Sequence, residues 1–293
     1  MNNHNKKSQD LHDEIRANVL YALKEDIGTG DLTASLIPNE KELSAAVICR
    51  ENAVLCGTQW FAACFHTLSP KTIIHWHAED GDSIETGQLL CEIRGNARAL
   101  LTAERSALNF VQLLSAVATQ TKQFVDAVAG TKAAIVDTRK TLPGLRLAQK
   151  YAVTCGGGIN HRHGLYDGIL IKENHIIAAG GIKPALEQAQ KIAPDNVFIQ
   201  IEVESLQELH EALTAGASMV LLDNFTLDRL TDAVALVRQY TNVPVILEAS
   251  GNITLDNVRQ IAKTGIDRIS IGSLTKNVKA IDLSMRFTET QKL

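Results

Sequence analysis

Ala133-Ala-Ile-Val-Asp-Thr-Arg-Lys140 sets a short apolar run of β-formers directly before an acid, a hydroxyl and two cations. The arrangement recurs along the second half of the chain. Apolar strands are predicted at residues 133–136, 168–171, 197–201, 219–222, 243–247 and 268–271, with helical stretches between them, which is the rhythm of βα units and a parallel sheet. Six such units predict an α/β fold closed into a barrel. The strands are followed in turn by Asp137-Thr-Arg-Lys140, Lys172-Glu-Asn-His175, Glu202-Val-Glu204, Asp223-Asn224, Glu248-Ala-Ser-Gly251 and Gly272-Ser273. In parallel α/β folds the carboxyl ends of the strands share one face, so these segments are expected to build a single site.

Outward toward the N-terminus the pattern changes. Leu11, Ile15, Val19 and Leu23 recur every four residues and predict a helix, with Ser8 and Asp10 as capping candidates. Gly28-Thr-Gly-Asp31 and Pro38 break it. Strands are predicted at 45–49 and 72–76, with an amphipathic helix between them carrying Trp60, Phe61, Cys64, Phe65 and Leu68. Residues 78–93 resemble the turns of biotinyl and lipoyl carrier domains, but those modules attach their cargo to a lysine and this segment has none. It is expected to be a structural hairpin. Residues 102–128 predict one long helix, with Leu108, Val111, Leu114 and Val117 spaced for burial, suited to linking two domains.

The composition narrows the function. With 293 residues, 45% hydrophobic and 21% charged, the chain suits a globular enzyme. A net charge of −4 argues against nucleic acid, whose binding needs a basic surface, and makes a local cluster of cations informative. No apolar run reaches the ~18 residues of a membrane span, and the N-terminal lysines lack an apolar stretch behind them. Five cysteines in no C-x-x-C spacing suggest neither a disulfide framework nor a zinc knuckle, so a cytoplasmic protein with reduced thiols is expected.

Within the strand-end segments, Arg139 forks onto carboxylate or phosphate while Lys140 offers a compact charge; together they suit a ligand with several negative charges. Cys155-Gly-Gly-Gly-Ile-Asn-His-Arg-His-Gly164 adds His161, Arg162 and His163 behind glycines that either admit an anion or form a turn. Zinc on the H-x-H pair is disfavoured by the arginine between them. Lys172 either serves the site or pairs with Glu173 or Glu202. Glu202 and Asp223 either bind magnesium, accept bonds from sugar hydroxyls, or belong to a structural salt-bridge network. Ser250-Gly251 and Gly272-Ser273 stand where barrels hold phosphate.

Taken together, Glu25-Asp-Ile-Gly-Thr-Gly-Asp31, Ala103-Glu-Arg-Ser-Ala-Leu-Asn109, Asp137-Thr-Arg-Lys-Thr-Leu-Pro-Gly-Leu-Arg146, Lys150-Tyr-Ala-Val153, Gly156-Gly-Gly-Ile-Asn-His-Arg162, Leu170-Ile-Lys-Glu-Asn-His175, Glu202-Val-Glu204, Leu222-Asp-Asn-Phe225 and Glu248-Ala-Ser-Gly251 resemble the quinolinate phosphoribosyltransferase family over nearly the whole chain. The resemblance implies an N-terminal open-faced α/β sandwich (1–115), an incomplete α/β (TIM-like) barrel (116–275) and a C-terminal segment (276–293) returning to the first domain. It implies quinolinate bound by Arg139, His161, Arg162 and Lys172, with Arg105 supplied across a homodimer with shared active sites. Phosphoribosyl pyrophosphate and magnesium would fall to Lys140, Glu202, Asp223, Ser250, Gly251 and Gly272, with Lys140, Glu202 and Asp223 catalytic. Two departures stand out. Glu173 replaces the family's usual aspartate, and Leu274-Thr-Lys-Asn277 replaces its usual Leu-Thr-His-Ser, so Lys276 would meet a pyrophosphate oxygen but lacks histidine's near-neutral titration. Rival readings are a related phosphoribosyltransferase, including the paralogues associated with molybdenum transport, a Schiff-base lyase using Lys140 or Lys172, and a non-catalytic carrier.

Overall fold

A computed structural model of the chain describes residues 3–240 and 244–288. The chain divides into two compact units, one of Met1–Gln120, Leu142–Gly157 and Thr275–Leu293, the other of Thr121–Thr141 and Gly158–Leu274.

In the first unit, helix α1 (Asn3–Ile27) buries Ile15, Val19 and Leu23 as the four-residue spacing predicts. It begins well before Ser8 and Asp10, which therefore lie inside the helix and do not cap it. Strand β1 (Glu42–Cys49) turns Ala45, Val47 and Cys49 inward on a period of two. After β2 (Ala53–Val54), helix α2 (Thr58–Leu68) buries Trp60, Phe61, Cys64 and Phe65, with Phe61 against Phe65 at 4.9 Å and Trp76 at 5.2 Å between ring centroids. Strands β3 (Ile73–Trp76), β4 (Ser83–Ile84) and β5 (Leu89–Asn96) follow.

The expected hairpin over 78–93 is not a simple one. β4 pairs with β2, while β5 pairs with β1 and β3. The turn between them is tied elsewhere, since Gly87 N–H donates to the Cys49 carbonyl at 2.8 Å. The last strand among the described residues, Leu283–Thr288, pairs with β1, giving an antiparallel sheet of four strands.

Helix α3 (Ala97–Ala127) is 31 residues long and buries Leu108, Val111, Leu114 and Val117. Its last residues belong to the second unit. Among the described residues no helix is long and apolar enough to cross a membrane.

The second unit carries β6 (Ala134–Val136), and α4 (Arg146–Cys155), although next in sequence, groups with the first unit. Then come β7 (Gly168–Ile171), α5 (Glu173–Ala179), α6 (Ile182–Ile192), β8 (Phe198–Val203), α7 (Leu206–Thr214), β9 (Met219–Asp223), α8 (Leu227–Tyr240), β10 (Ile246–Ser250), α9 (Leu255–Lys263) and β11 (Arg268–Ser270). A short helix α10 (Ser273–Lys276) precedes the last described strand, β12. The six strands pair in parallel in the order β6-β11-β10-β9-β8-β7. Counting units predicts closure. Among the described residues, however, β6 and β7 do not pair with each other, and beyond β6 there is only a bridge from Val136 to Ile159, so the barrel is incomplete.

Two strand ends differ from expectation in a way that moves side chains. The strand predicted at 243–247 is β10 at Ile246–Ser250, with Val243 outside the described residues. Pro244 has no N–H for a ladder, and pairing begins at Ile246, which donates to the Ser218 carbonyl at 2.9 Å. Glu248 consequently lies inside the strand, fully buried, instead of opening a loop. β8 likewise runs on to Val203, enclosing Glu202.

Candidate active site

Strand register assembles the acidic half of the site. On β9, Leu221 is the register partner of Glu202 of β8 on one side and of Glu248 of β10 on the other, and Asp223 pairs with Ser250. Register partners in a parallel sheet point to the same side, and the pleat returns to that side every second residue. Gln200, Glu202, Asp223, Glu248 and Ser250 therefore share one face. The site develops toward the carboxyl ends of the strands, as the barrel rule requires.

Lys172 follows β7 and is the N-cap residue of α5. Its N–H donates to His175 Nδ1 at 3.0 Å and its carbonyl accepts the His175 N–H at 2.8 Å, so the histidine of Lys172-Glu-Asn-His175 folds back and fixes this helix start. The lysine side chain then reaches across to β8, where Nζ donates to Glu202 Oε2 at 2.5 Å. Lys172 is 44% exposed and Glu202 9%, so the cation meets solvent while the carboxylate is nearly enclosed.

The segment after the glycines is anchored by Asp137. Its Oδ1 accepts the His161 N–H at 2.9 Å and its Oδ2 accepts Asn160 Nδ2 at 2.7 Å, so the first residue of the Asp137-Thr-Arg-Lys140 motif acts as a buried clamp beside the two cations. His161 Nδ1 accepts the Arg162 N–H at 2.7 Å. That nitrogen carries no proton in this bond, which places the ring proton on Nε2, directed at Gln200 Oε1 at 2.7 Å. Gln200 Nε2 in turn donates to Glu248 Oε2 at 3.1 Å. Both ring nitrogens of His161 are thus engaged within the protein, and a direct bond from the ring to a ligand requires one of these to open. The other carboxylate oxygen of Glu248, Oε1, is buried without a hydrogen-bond partner.

Arg162 is held by the far end of its own loop. Nη1 donates to the Gly168 carbonyl at 2.9 Å. A Cβ on Gly168 would stand 2.6 Å from Phe198 Cζ and 3.0 Å from Arg162 Cβ, so only glycine lets the arginine pass. Burial, and next the neighbouring Arg139 guanidinium, draw Arg162 below the ordinary arginine value. Two guanidiniums in electrostatic reach of each other form a field suited to a multiply charged anion. The loop is closed by Asp167, which accepts N–H bonds from His163 at 2.8 Å and Gly164 at 2.9 Å.

Lys140 is exposed and lies over Gly272, where a Cβ would come within 2.9 Å of Lys140 Cδ. Gly251 has φ +98°, and a Cβ there would meet Asn224 Oδ1 at 2.1 Å. Asn224, itself at φ 54°, donates its N–H to the Ser250 carbonyl at 2.9 Å and bonds Asp223 Oδ2 through Nδ2 at 2.8 Å. This junction borders a cavity of about 270 Å³ lined by Asn224, Phe225, Gly251, Asn252 and Asn257.

The structure therefore gathers Arg139, Lys140, His161, Arg162, Lys172, Glu202, Asp223, Ser250, Gly251 and Gly272 in the second unit. Arg105, exposed on α3, and Lys276, exposed at the end of α10, belong to the first. Gln200 has no place in the predicted strand-end segments, while Glu248 and Asn224 lie in them with no role of their own. A glutamine inside the predicted apolar strand 197–201, two residues before Glu202, is the signal that was available for the first.

Family models match both parts of the chain: quinolinate phosphoribosyl transferase, N-terminal domain, over residues 31–115, and C-terminal domain over 117–286. The chain belongs to the quinolinate phosphoribosyltransferase family. It is 40% identical over 277 residues to a probable carboxylating nicotinate-nucleotide pyrophosphorylase of Bacillus subtilis, covering 94% of each chain. It is 38% identical over 293 residues to the chloroplastic carboxylating nicotinate-nucleotide pyrophosphorylase of Arabidopsis thaliana, covering 93% of this chain and 82% of that one. The solved nicotinate-nucleotide pyrophosphorylase of Francisella tularensis superposes with a TM-score of 0.90 at 44% identity, over 94% of this chain and 96% of that one. The incomplete barrel and the four-stranded sheet are thus the fold of this family, and the strand-end residues described above occupy its C-terminal domain match.

Proposed function

We propose that the chain joins the pyridine nitrogen of quinolinate to ribose C1 of phosphoribosyl pyrophosphate, releasing pyrophosphate and carbon dioxide and leaving nicotinate mononucleotide for NAD biosynthesis. The observation that carries this reading is the Lys172–Glu202 pair in the same unit as Arg162, which lies under the field of Arg139. A dicarboxylate needs two cationic grips, and a sugar carbon becoming positive needs carboxylates.

Arg139, Arg162 and Lys172 are assigned to the two quinolinate carboxylates, with the partner subunit's Arg105 completing the grip in a homodimer. His161 orients Arg162 through the bond between Nδ1 and the Arg162 N–H. Fixing the ring nitrogen against C1 removes entropy from the barrier, by up to ~7–11 kcal/mol in ideal cases. As the bond to pyrophosphate breaks, Glu202 and Asp223 stabilise the positive sugar, while Lys140 and Lys276 offset charge on the leaving group. Ser250, Gly251 and Gly272 hold phosphate oxygens. The hard oxygen donors of Glu202 and Asp223 fit magnesium, which favours one or two carboxylates together with phosphate oxygens. When bound it neutralises phosphate charge. After ring alkylation, the positive nitrogen stabilises the carbanion left by loss of the 2-carboxylate, so no further electron sink is required. Free cysteines throughout the described chain support a reducing, cytoplasmic setting.

The test incubates purified protein with phosphoribosyl pyrophosphate, magnesium and either quinolinate or nicotinate. Carbon dioxide and nicotinate mononucleotide from quinolinate are expected; product from nicotinate alone would assign the site to a non-decarboxylating transferase.

A further inference from the structure

Away from the strand ends, the first unit brings together two cysteines from distant parts of the sequence. Cys56 follows β2, Asp80 stands in the turn between β3 and β4, and Cys155 ends α4. The two sulfurs and a carboxylate oxygen all lie within 4.8 Å of one another. Cys56 is fully buried, and its backbone is pinned at both ends by Ser115, whose hydroxyl accepts the Cys56 N–H at 2.8 Å and donates to the Cys56 carbonyl at 3.1 Å. Cys155 is only partly buried and is followed by Gly156, Gly157 and Gly158, with Gly157 at φ +84°. One sulfur is therefore fixed and enclosed, while the other belongs to a partly exposed residue that leads into backbone with glycine's freedom to adjust. Asp80 is held in place, with Oδ2 accepting from the Tyr151 hydroxyl at 2.9 Å and Oδ1 from the Thr58 N–H at 3.1 Å.

We infer that Cys56 and Cys155 are an oxidisable dithiol, in which Cys155 is attacked first by a peroxide and Cys56 resolves it to an intramolecular disulfide. The Cys155 thiolate attacks one oxygen of hydrogen peroxide, the O–O bond breaks, and hydroxide leaves, so that Cys155 becomes a sulfenic acid. The Cys56 sulfur then attacks the Cys155 sulfur. The S–S bond forms, the S–O bond breaks, and the hydroxyl departs as water with the Cys56 proton. In sum one dithiol and one hydrogen peroxide give one disulfide and two waters, the sulfurs losing the two electrons that the peroxide gains.

The division of roles follows from the surroundings. The neighbouring Cys56 thiol and, with it, Tyr151 hold the Cys155 thiol below its ordinary value against burial and the charge of Asp80. Burial raises Cys56 well above it. Cys64 and Cys91 are pushed up to about 12 by burial and stay as inert thiols. Two sulfurs and one carboxylate are one ligand short of a closed structural zinc site, and the described residues supply no fourth member to the cluster.

The full-length protein, reduced and freed of reductant, is treated with hydrogen peroxide, alkylated, denatured and mapped by mass spectrometry. A Cys56–Cys155 cross-link is expected, with free thiols falling from five to three per chain and returning with reductant. Cys56→Ser should leave Cys155 trapped as a sulfenic acid that a dimedone probe labels. Wild-type protein reports the cross-link even if a variant fails to fold. Five thiols remaining after treatment, or Cys155 driven to sulfinic acid beside an intact Cys56 thiol, overturns the inference. Zinc added at one equivalent that protects both thiols, with protection lost in Asp80→Asn, overturns it in favour of a metal site.

Discussion

Lys172 Nζ donates to Glu202 Oε2 at 2.5 Å, joining a residue assigned to quinolinate with one assigned to the phosphoribosyl donor. The two charges neutralise each other. On the proposed assignment, a quinolinate carboxylate that takes Lys172 would release Glu202 to face the sugar as positive charge develops there. Because Glu202 is the enclosed partner, losing Lys172 leaves a buried carboxylate without its cation. Lys172→Met should lower unfolding free energy by about 1–3 kcal/mol in urea titrations, and the double change with Glu202→Gln should recover part of it. A single variant as stable as wild type would show that the pair contributes nothing in solution.

Gln200 and Glu248 stand behind the residues assigned to quinolinate. Glu248→Ala removes the acceptor for Gln200 Nε2, loosening the bond to His161 and through it the Arg162 backbone. The KM for quinolinate should rise by about tenfold or more, the scale of supporting-shell losses, with kcat changed less and the circular dichroism spectrum retained. Glu248→Gln keeps an acceptor and should restore most of the affinity. Equal losses of kcat in both variants, with KM unmoved, would remove the positioning role.

Two glycines separate fold from chemistry. Gly251→Ala forces an L side chain to φ +98° and into Asn224 Oδ1, and should cost about 1–3 kcal/mol of stability. At Gly272 the obstructing atom is the middle of a flexible lysine side chain. Gly272→Ala should therefore leave the melting temperature almost unchanged while displacing Lys140 and lowering turnover by about 10-fold or more. Thermal melts and steady-state rates measured side by side check both halves.

Acid sensitivity should reside partly in the loop closed by Asp167. Burial raises its carboxyl, but the His163 and Gly164 N–H groups and the His163 ring outweigh burial and hold it below the ordinary value of 3.8. Since the folded value is the depressed one, its contribution to stability is fully present above the unfolded value and is lost as pH falls through the folded one. The stability gap between wild type and Asp167→Asn should be constant near neutral pH and shrink below about pH 4. A gap independent of pH in urea titrations across that range would contradict this.

The sequence makes the repeating units legible because each strand is short, apolar and followed by polar residues, and because α1, α2 and α3 carry clear helical spacing. Arg139, Lys140, Lys172, Glu202 and Asp223 stand out because charges directly after apolar strands are poorly explained as surface. What stays hidden depends on register. That Glu202 and Glu248 flank Leu221 follows only once β8, β9 and β10 are aligned, and the shift of β10 past Pro244 hides the burial of Glu248. Asp137 looks like part of the charged motif until its two oxygens are seen clamping Asn160 and His161. The Cys56–Cys155 pair has no spacing signal at all, being made by the fold of the first unit.

We assign to this one site the coupling of phosphoribosyl transfer to loss of the 2-carboxylate. Quinolinate labelled with carbon-13 in that carboxylate, supplied with phosphoribosyl pyrophosphate and magnesium, tests it most directly. Labelled carbon dioxide, pyrophosphate and unlabelled nicotinate mononucleotide should appear in equal amounts, with Lys140→Ala slowing all three together by about 10²–10³-fold. Folded wild-type protein that releases no labelled carbon dioxide, or releases it without forming the nucleotide, would rule that coupling out.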